Sequence, residues 1–193
     1  MMTSPKLLAF CGSASSPSKT RCLIETIISR ISAEINVSSS IYDLSDFTDA
    51  RWSYNRSDLP AKARKILDEI EQADILVAGS PVYKGSYSGL FKHVFDLVGP
   101  DQLVGKPVLL CASGGGDRHA LVVEHQLRPL FGFFGAATAP LAVYACDRDF
   151  KDGRLTDPGL LDRIDVAVRE LVHLVDPAWR VPAEGAPSHL SAS

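Results

Sequence analysis

The stretch that decides the fold is residues 75–89, which read ILVAGSPVYKGSYSG. It begins with an uninterrupted apolar run and continues through small and aromatic residues. Residues 90–98, LFKHVFDLV, follow with apolar positions at helical spacing. This order of strand, loop and amphipathic helix is typical of parallel α/β sheets, which bind ligands at the carboxyl ends of their strands. The sequence therefore predicts a binding loop at residues 78–89.

Apolar runs and amphipathic segments alternate along the rest of the chain. The predicted strands are residues 6–11, 37–44, 74–79, 106–112 and 136–145. The first predicted helix begins near residues 18–20, and the other four cover residues 61–73, 90–98, 118–134 and 160–175. This alternation predicts the fold class α/β, as a flavodoxin-like, doubly wound, five-stranded parallel sheet of order 2-1-3-4-5. In that order the first and third strands flank the switch point, where a ligand is expected.

Length and composition predict one domain. The 193 residues are 46% hydrophobic, which is enough for a single core, and we place that domain at residues 1–175. Residues 176–193 are rich in Pro, Ala and Ser and are predicted to form a disordered tail. The net charge of −3 does not favour a nucleic-acid partner.

The start of the chain and its cysteines predict a cytoplasmic protein that is neither secreted nor embedded in a membrane. The first residues, MMTSPK, lack the apolar core of a secretory signal, and no apolar run reaches the ~20 residues of a membrane span. The cysteines have no CxxC spacing and no histidine at metal-ligand spacing, so we expect reduced thiols and no metal site. They are Cys11, Cys22, Cys111 and Cys146.

A second candidate loop, GSASSPSKT at residues 12–20, follows the first predicted strand. Hydroxyl side chains, with Lys19 and Arg21 beside them, stand where a helix begins, and a helix N-terminus favours an anion. Plain N-capping is the alternative for such residues. The phosphate-binding patterns GxxxxGK[ST] and GxGxxG are absent, which favours a mononucleotide held by hydroxyls and amides.

A third candidate loop, SGGGD at residues 113–117, follows the fourth predicted strand. Three consecutive glycines are costly in backbone entropy unless a ligand approaches the main chain or a turn needs positive φ. Together the three loops suit a flat, phosphate-bearing ligand such as flavin mononucleotide (FMN). One loop would cradle the phosphate, and the other two would form the walls around the ring.

Two further segments have open interpretations. Residues 45–59 carry Trp52 and Tyr54 with little periodicity, so this loop is either functional or covers the core. In the predicted helix 118–134, Pro129 is expected to kink or unwind the helix. His125 interrupts the apolar stripe there, and a structural role at a subunit contact is expected for it.

The motifs of the three loops resemble those of the NAD(P)H-dependent FMN reductase family over residues 6–175. Within that family, the helix at residues 118–129 is similar to that of the flavin reductases serving two-component alkanesulfonate or methanesulfonate monooxygenases. The resemblance implies an enzyme with FMN and NAD(P)H as cofactors that passes reduced FMN to a partner monooxygenase. It also implies a homodimer or homotetramer, with His125 in a π-helical bulge at the tetramer interface.

The resemblance also implies the cofactor-binding residues. The phosphate would lie at the first loop, the ring and ribityl chain at the second, and the pyrimidine end against the main chain of the third. These residues are Ser13, Ser15, Ser18, Lys19 and Thr20; Pro81, Val82, Tyr83 and Lys84; and Ser113, Gly114, Gly115 and Gly116. Many members carry Arg where this chain has Ser15, which favours weak FMN retention. No catalytic side chain is expected, because hydride passes between the cofactors.

Two other functions remain open at this point. One is a quinone or azo reductase that keeps its FMN bound. The other is a non-enzymatic electron carrier of the flavodoxin type, although such carriers are usually strongly acidic and this chain is not. The sequence does not discriminate between NADH and NADPH.

Overall fold

The computed structural model describes residues 4–47 and 53–179 as a sheet covered by helices on both faces. The strands are β1 Lys6–Cys11, β2 Ser38–Asp43, β3 Ile75–Pro81, β4 Pro107–Gly114, β5 Ala137–Thr138, β6 Val143–Cys146, β7 Phe150–Lys151 and β8 Arg154–Leu155. The α-helices are α1 Lys19–Glu34, α2 Ala61–Gln72, α3 Gly89–Asp96, α4 Arg128–Phe133 and α5 Pro158–Leu174. A π-helix at Val123–Leu127 directly precedes α4.

The sheet order confirms the predicted fold class. The strands run β2-β1-β3-β4-β5, and every pairing among them is parallel. β1 and β3 are therefore neighbours at the switch point, and the loops that follow them leave the same edge of the sheet.

The fifth strand differs from its prediction. Residues 136–145 were expected to form one strand, but they form β5 and β6, which pair with the beginning and the end of β4 respectively. Pro140 lies between the two pieces, and a proline has no N–H for the hydrogen-bond ladder. The short antiparallel pair of β7 and β8 was not predicted.

Both faces of the sheet are buried, which explains the uninterrupted apolar runs of the strands. Leu8 and Phe10 of β1 pack in one core cluster with side chains of α2 and α3. Leu7 and Ala9, which point the other way, pack in a second cluster with side chains of α1 and α5. Strand β2 is more exposed than β1, as its partial alternation predicted.

The predicted helix at residues 118–134 is divided into shorter segments. The 3-10 turn Asp117–His119 comes first, and the π-helix and α4 follow it. Pro129 stands in the first turn of α4 and has no N–H to donate to the carbonyl four residues earlier, which is that of His125. The irregular turn therefore lies directly before the proline, where local unwinding was expected.

The loop and tail regions are partly described. In the loop at residues 45–59, Tyr54 is 83% exposed and does not cover the core, whereas Trp52 lies outside the described residues. The predicted tail begins with a 3-10 turn, Pro177–Trp179, and Trp179 packs against the second core cluster. Residues 180–193 lie outside the described part, and the boundary after residue 175 stays a prediction. No helix in the described part of the chain is long and apolar enough to span a membrane.

Candidate functional site

The first and second loops are joined by hydrogen bonds at the carboxyl edge of the sheet. The Gly12 N–H donates to the Gly79 carbonyl at 2.7 Å, and the Ser88 hydroxyl donates back to the Gly12 carbonyl at 3.0 Å. Ser88 also caps α3, because its side chain accepts from the Phe91 N–H at 3.2 Å. The beginning of α3 is thereby fixed to the first loop.

The third loop is joined to both of the others through Ser113. Its carbonyl accepts from the Val82 N–H at 2.7 Å, and its hydroxyl lies 2.7 Å from the hydroxyl of Thr20. Ser113 and Thr20 are both buried, so these bonds are shielded from water. The structure therefore brings the three predicted loops together into one continuous surface.

The glycines show where this surface is closely packed and where it is open. A Cβ on Gly12 would lie 2.8 Å from the Phe91 ring, and one on Gly114 would lie 2.5 Å from the Tyr144 hydroxyl. A Cβ on Gly115 would lie 4.0 Å from Asp147, and one on Gly116 would meet no atom within 4 Å. A ligand can thus approach the main chain at Gly115 and Gly116, whereas Gly12 and Gly114 are required by protein packing.

The first loop supplies hydroxyls at the N-terminus of α1. The Ser18 side chain caps the helix by accepting from the Arg21 N–H at 3.2 Å, and the Ser13 hydroxyl accepts from the Ser15 N–H at 3.2 Å. A hydroxyl that accepts one bond still carries a hydrogen that it can donate to an anion. The Thr20 hydroxyl instead links the loops through Ser113. Capping and anion binding are therefore compatible at Ser13 and Ser18.

Both cations beside the first loop are paired with carboxylates. The Lys19 ammonium lies 2.8 Å from Asp147, and the Arg21 guanidinium lies 2.7 Å from Asp43 and 2.9 Å from Glu25. Burial acts to raise the pKa of Asp43, but hydrogen bonds from Ser45 and Arg21 outweigh it and hold that pKa below its usual range. These two cations are already charge-compensated.

The second loop presents Tyr83 on a tight turn. Tyr83 and Ser86 exchange two backbone hydrogen bonds, of 2.8 and 3.1 Å. Between them Lys84 has φ +50° and Gly85 has φ +83°, the left-handed pair of a type I′ turn. The Tyr83 side chain is 59% exposed and can contact a ligand. The Ser86 hydroxyl donates to Gln126 at 3.1 Å, which fixes the turn to the π-helix.

Sequence reasoning missed Tyr144 and Asp147. The Tyr144 hydroxyl donates to the Gly116 carbonyl at 2.7 Å and supports the third loop, while burial raises its pKa. Tyr144 lies within β6, and Asp147 directly follows that strand at the carboxyl edge of the sheet. That position was the available signal, because the predicted strand 136–145 ends within one residue of the observed end of β6.

The cysteine closest to the loops is not a nucleophile. Cys11 ends β1 directly before Gly12 and is fully buried. Burial raises the pKa of Cys11 to about 11, so its thiol is protonated near neutral pH. None of the four cysteines, all of which are in the described residues, forms a disulfide.

His125 lies in the π-helix and lines a groove next to the second loop. The groove has a volume of about 640 Å³ and lies between α3 and α4. Tyr87 and Phe133 also line it, and Phe133 is 72% exposed. None of the predicted flavin-binding residues, all of which the structure describes, lines this groove, while the role of His125 at a subunit interface stays a prediction.

Known proteins resemble this chain over most of its length. The family model described as NADPH-dependent FMN reductase matches residues 5–151. The FMN reductase (NADPH) of Pseudomonas aeruginosa is 43% identical over 175 residues, which cover 90% of this chain and 94% of that protein. The NADH-dependent FMN reductase SfnF of Pseudomonas fluorescens is 42% identical over 170 residues, covering 88% and 91%.

A solved structure shares both the fold and part of the sequence. The apo form of the NADH:FMN oxidoreductase EMOB superposes with a TM-score of 0.81 and 25% identity, covering 96% of this chain and 98% of that one. The extent of these matches confirms the resemblance that the loop motifs predicted. From its sheet order, its three joined loops and these relatives, the chain belongs to the NADPH-dependent FMN reductase family.

Proposed function

We propose that this chain binds FMN across the three joined loops, reduces it with NAD(P)H and releases the reduced FMN to a partner monooxygenase. Membership of the family makes it an oxidoreductase with FMN and NAD(P)H as cofactors. The observation that carries the proposed site is the set of hydrogen bonds joining the loops after β1, β3 and β4.

The chemistry of the three loops fits the parts of FMN. Hydroxyls of Ser13, Ser15 and Ser18 and the first-turn amides of α1 would hold the phosphate, because that end of a helix carries unpaired N–H groups and partial positive charge. The second loop, Pro81 to Lys84, would line the ring and ribityl chain. The open main chain at Gly115 and Gly116 would take the pyrimidine end.

The protein's part in the reaction is binding and orientation. Bound FMN supplies a hydride acceptor, and the hydride comes from the reduced nicotinamide. The exposed Tyr83 ring and the third loop would flank the flavin and restrict its orientation. No side chain is assigned a proton-transfer step, so a catalytic residue in the strict sense is not proposed.

Release of reduced FMN follows from the charge state of the first loop. The two cations beside the phosphate position are already paired with carboxylates, which weakens their contribution to phosphate binding. Weak retention suits a flavin that is a substrate and leaves after reduction. The partner would be an FMN-dependent monooxygenase of sulfonate or other organosulfur metabolism, as the sequence resemblance implies.

We also propose that the chain self-associates, as a homodimer or homotetramer, through the groove that contains His125. The exposed Phe133 ring beside this apolar groove supports a contact with a second copy. A cytoplasmic setting is proposed as well, because all four cysteines are free thiols.

The function is tested by following NAD(P)H oxidation while FMN is titrated into the purified protein. The proposal expects a rate that rises from near zero to saturation with free FMN. A full rate without added FMN, yellow colour retained through gel filtration and ping-pong kinetics with quinones would favour the quinone or azo reductase. If NAD(P)H is not oxidised at any FMN concentration, the electron carrier is the only one of the three candidate functions that remains.

The assignment of the second loop is tested by Tyr83→Ala. Loss of an aromatic contact with the ring is expected to weaken FMN binding about tenfold in a fluorescence titration. Tyr54→Ala is the matched control, because Tyr54 is also an exposed tyrosine and lies outside the three loops. Equal affinity of the Tyr83→Ala variant and the wild type would exclude Tyr83 from the site.

A further inference from the structure

The Lys19 side chain forms an ion pair with a residue that follows β6. Its ammonium lies 2.8 Å from one carboxylate oxygen of Asp147 and 5.8 Å from the centre of the Phe150 ring. The side chains of Lys19 and Asp147 are 47% and 59% exposed. An ion pair this exposed is weak and can exchange with another anion.

Asp147 lies beside the third loop as well as the first. Strand β6 pairs with β4 so that Cys146 is opposite Gly114, which brings the next residue, Asp147, to the ligand-binding edge. Its second carboxylate oxygen is 4.0 Å from the position of a Cβ on Gly115. One carboxylate thus touches the lysine of the first loop and approaches the open main chain of the third.

We propose that Asp147 sets the affinity for FMN by competing with the flavin phosphate for the Lys19 ammonium. This rests on the proposed function, which puts the phosphate at the first turn of α1. The flexible four-carbon stem of a lysine lets its ammonium move from a carboxylate to a phosphate. Asp147 is therefore a positioning residue: it acts on the ligand through Lys19 and makes FMN easier to release.

The proposal predicts an effect that depends on the phosphate. Arg21 is less free to make this exchange, because two of its nitrogens already bond to Glu25 and Asp43. Removing the charge of Asp147 would free Lys19 for the phosphate and tighten FMN binding. Riboflavin has the same ring and ribityl chain but no phosphate, so its affinity should not respond.

The test is the Asp147→Asn variant of the full chain, with dissociation constants for FMN and riboflavin measured by flavin fluorescence at low ionic strength. We expect FMN to bind about three- to tenfold more tightly than to the wild type, with riboflavin unchanged within about twofold. Unchanged or weaker FMN binding would overturn the proposal, and so would an equal gain for riboflavin.

The matched control is Asp165→Asn. Asp165 also pairs with a cation of α1, Arg30, at 3.4 Å. Arg30 lies about three helical turns from Lys19, and the variant removes the same charge from the molecule. Neither flavin should bind differently to this control, and a gain equal to that of Asp147→Asn would point to net charge as the cause.

Measurements in a Lys19→Met chain distinguish competition for Lys19 from direct repulsion between Asp147 and the phosphate. In a Lys19→Met chain, FMN should bind more weakly than to the wild type, and adding Asp147→Asn should then change its affinity less than about twofold. A full gain in that background would show that Asp147 acts without Lys19, which contradicts the competition. If the wild-type chain binds no FMN, the proposed function itself is refuted. If it binds FMN but Asp147→Asn does not change the affinity, only this inference is refuted.

Discussion

At the scale of single residues, Gly114 and Gly116 of the third loop have different reasons to be glycine. Gly114 has the Tyr144 hydroxyl where its Cβ would lie, at 2.5 Å. Gly116 is extended, with φ 179°, and has open space around it. The first position is required by packing, and the second leaves a surface that a flavin can approach.

Alanine substitutions at these two positions should therefore affect different properties. Gly114→Ala should lower the free energy of unfolding by about 1–2 kcal/mol, because Tyr144 must move. Gly116→Ala should leave that stability unchanged within about 0.5 kcal/mol but weaken FMN binding several-fold, because the new methyl group narrows the site. Urea unfolding and flavin fluorescence measure the two quantities. An FMN affinity of Gly116→Ala equal to that of the wild type would show that the main chain at Gly116 does not contact the flavin.

The residue scale also shows what the sequence could reveal about the candidate site. Ser18 was identifiable because a hydroxyl stood directly before a helical pattern, and the structure has it as the N-cap. The pairing of Lys19 with Asp147 was not identifiable, because 127 positions separate two residues that meet only through the register of β6 on β4. Their contact depends on three-dimensional packing.

At the scale of elements, Arg128 binds the segment that interrupts the fifth strand. The guanidinium donates to the Thr138 hydroxyl at 2.8 Å and to the carbonyls of Ala139 and Pro140, each at 2.9 Å. Its other bonds go to Glu124 in the preceding turn. Arg128 therefore satisfies carbonyls that a continuous strand would have placed in the ladder, and it joins the π-helix to the sheet.

Arg128→Met should destabilise the fold by about 2 kcal/mol, because partly buried carbonyls lose a charged donor. Chemical denaturation measures the change. Lys65→Met is the control, because Lys65 forms an exposed pair with Glu69 within α2, and its loss should cost less than about 0.5 kcal/mol. Equal effects of the two substitutions would mean that Arg128 makes only a surface ion pair.

The same arginine should give the stability a dependence on acid pH. Hydrogen bonds from Arg128 hold the pKa of Glu124 below its ordinary value of 4.5. A carboxylate whose pKa is lowered by folding stabilises the folded state at pH values above its pKa in the unfolded state. This stabilisation is lost as the pH falls through the pKa in the folded state. The stability difference between wild type and Arg128→Met should therefore shrink below about pH 4. A difference that stays constant from pH 7 to pH 3 would contradict this role of Glu124.

At the scale of the whole molecule, the fold was predictable because the strands are buried on both faces. β1 and β3 carry unbroken apolar runs, and together with the helical segments between the strands these imply a parallel sheet. The sheet order then puts their loops together. The interruption at Pro140 and the β7–β8 pair were missed because short strands have weak periodicity and depend on pairing partners.

The proposed assembly is also tested at this scale. Phe133→Asp should lower the mass measured by light scattering after gel filtration, because a charge would be buried in the contact with a second copy. Val166→Asp is the control: Val166 is on α5, beneath the other face of the sheet, and is 38% exposed. A monomeric wild type, or an unchanged mass for Phe133→Asp, would exclude the groove as the interface.

The most direct test of the central claim is a crystal structure of the chain grown with FMN. The account predicts the phosphate at the first turn of α1, beside Ser13 and Ser18, and the ring between Tyr83 and the main chain of Gly115 and Gly116. Flavin density in the groove lined by His125, or density that touches only one of the three loops, would contradict it.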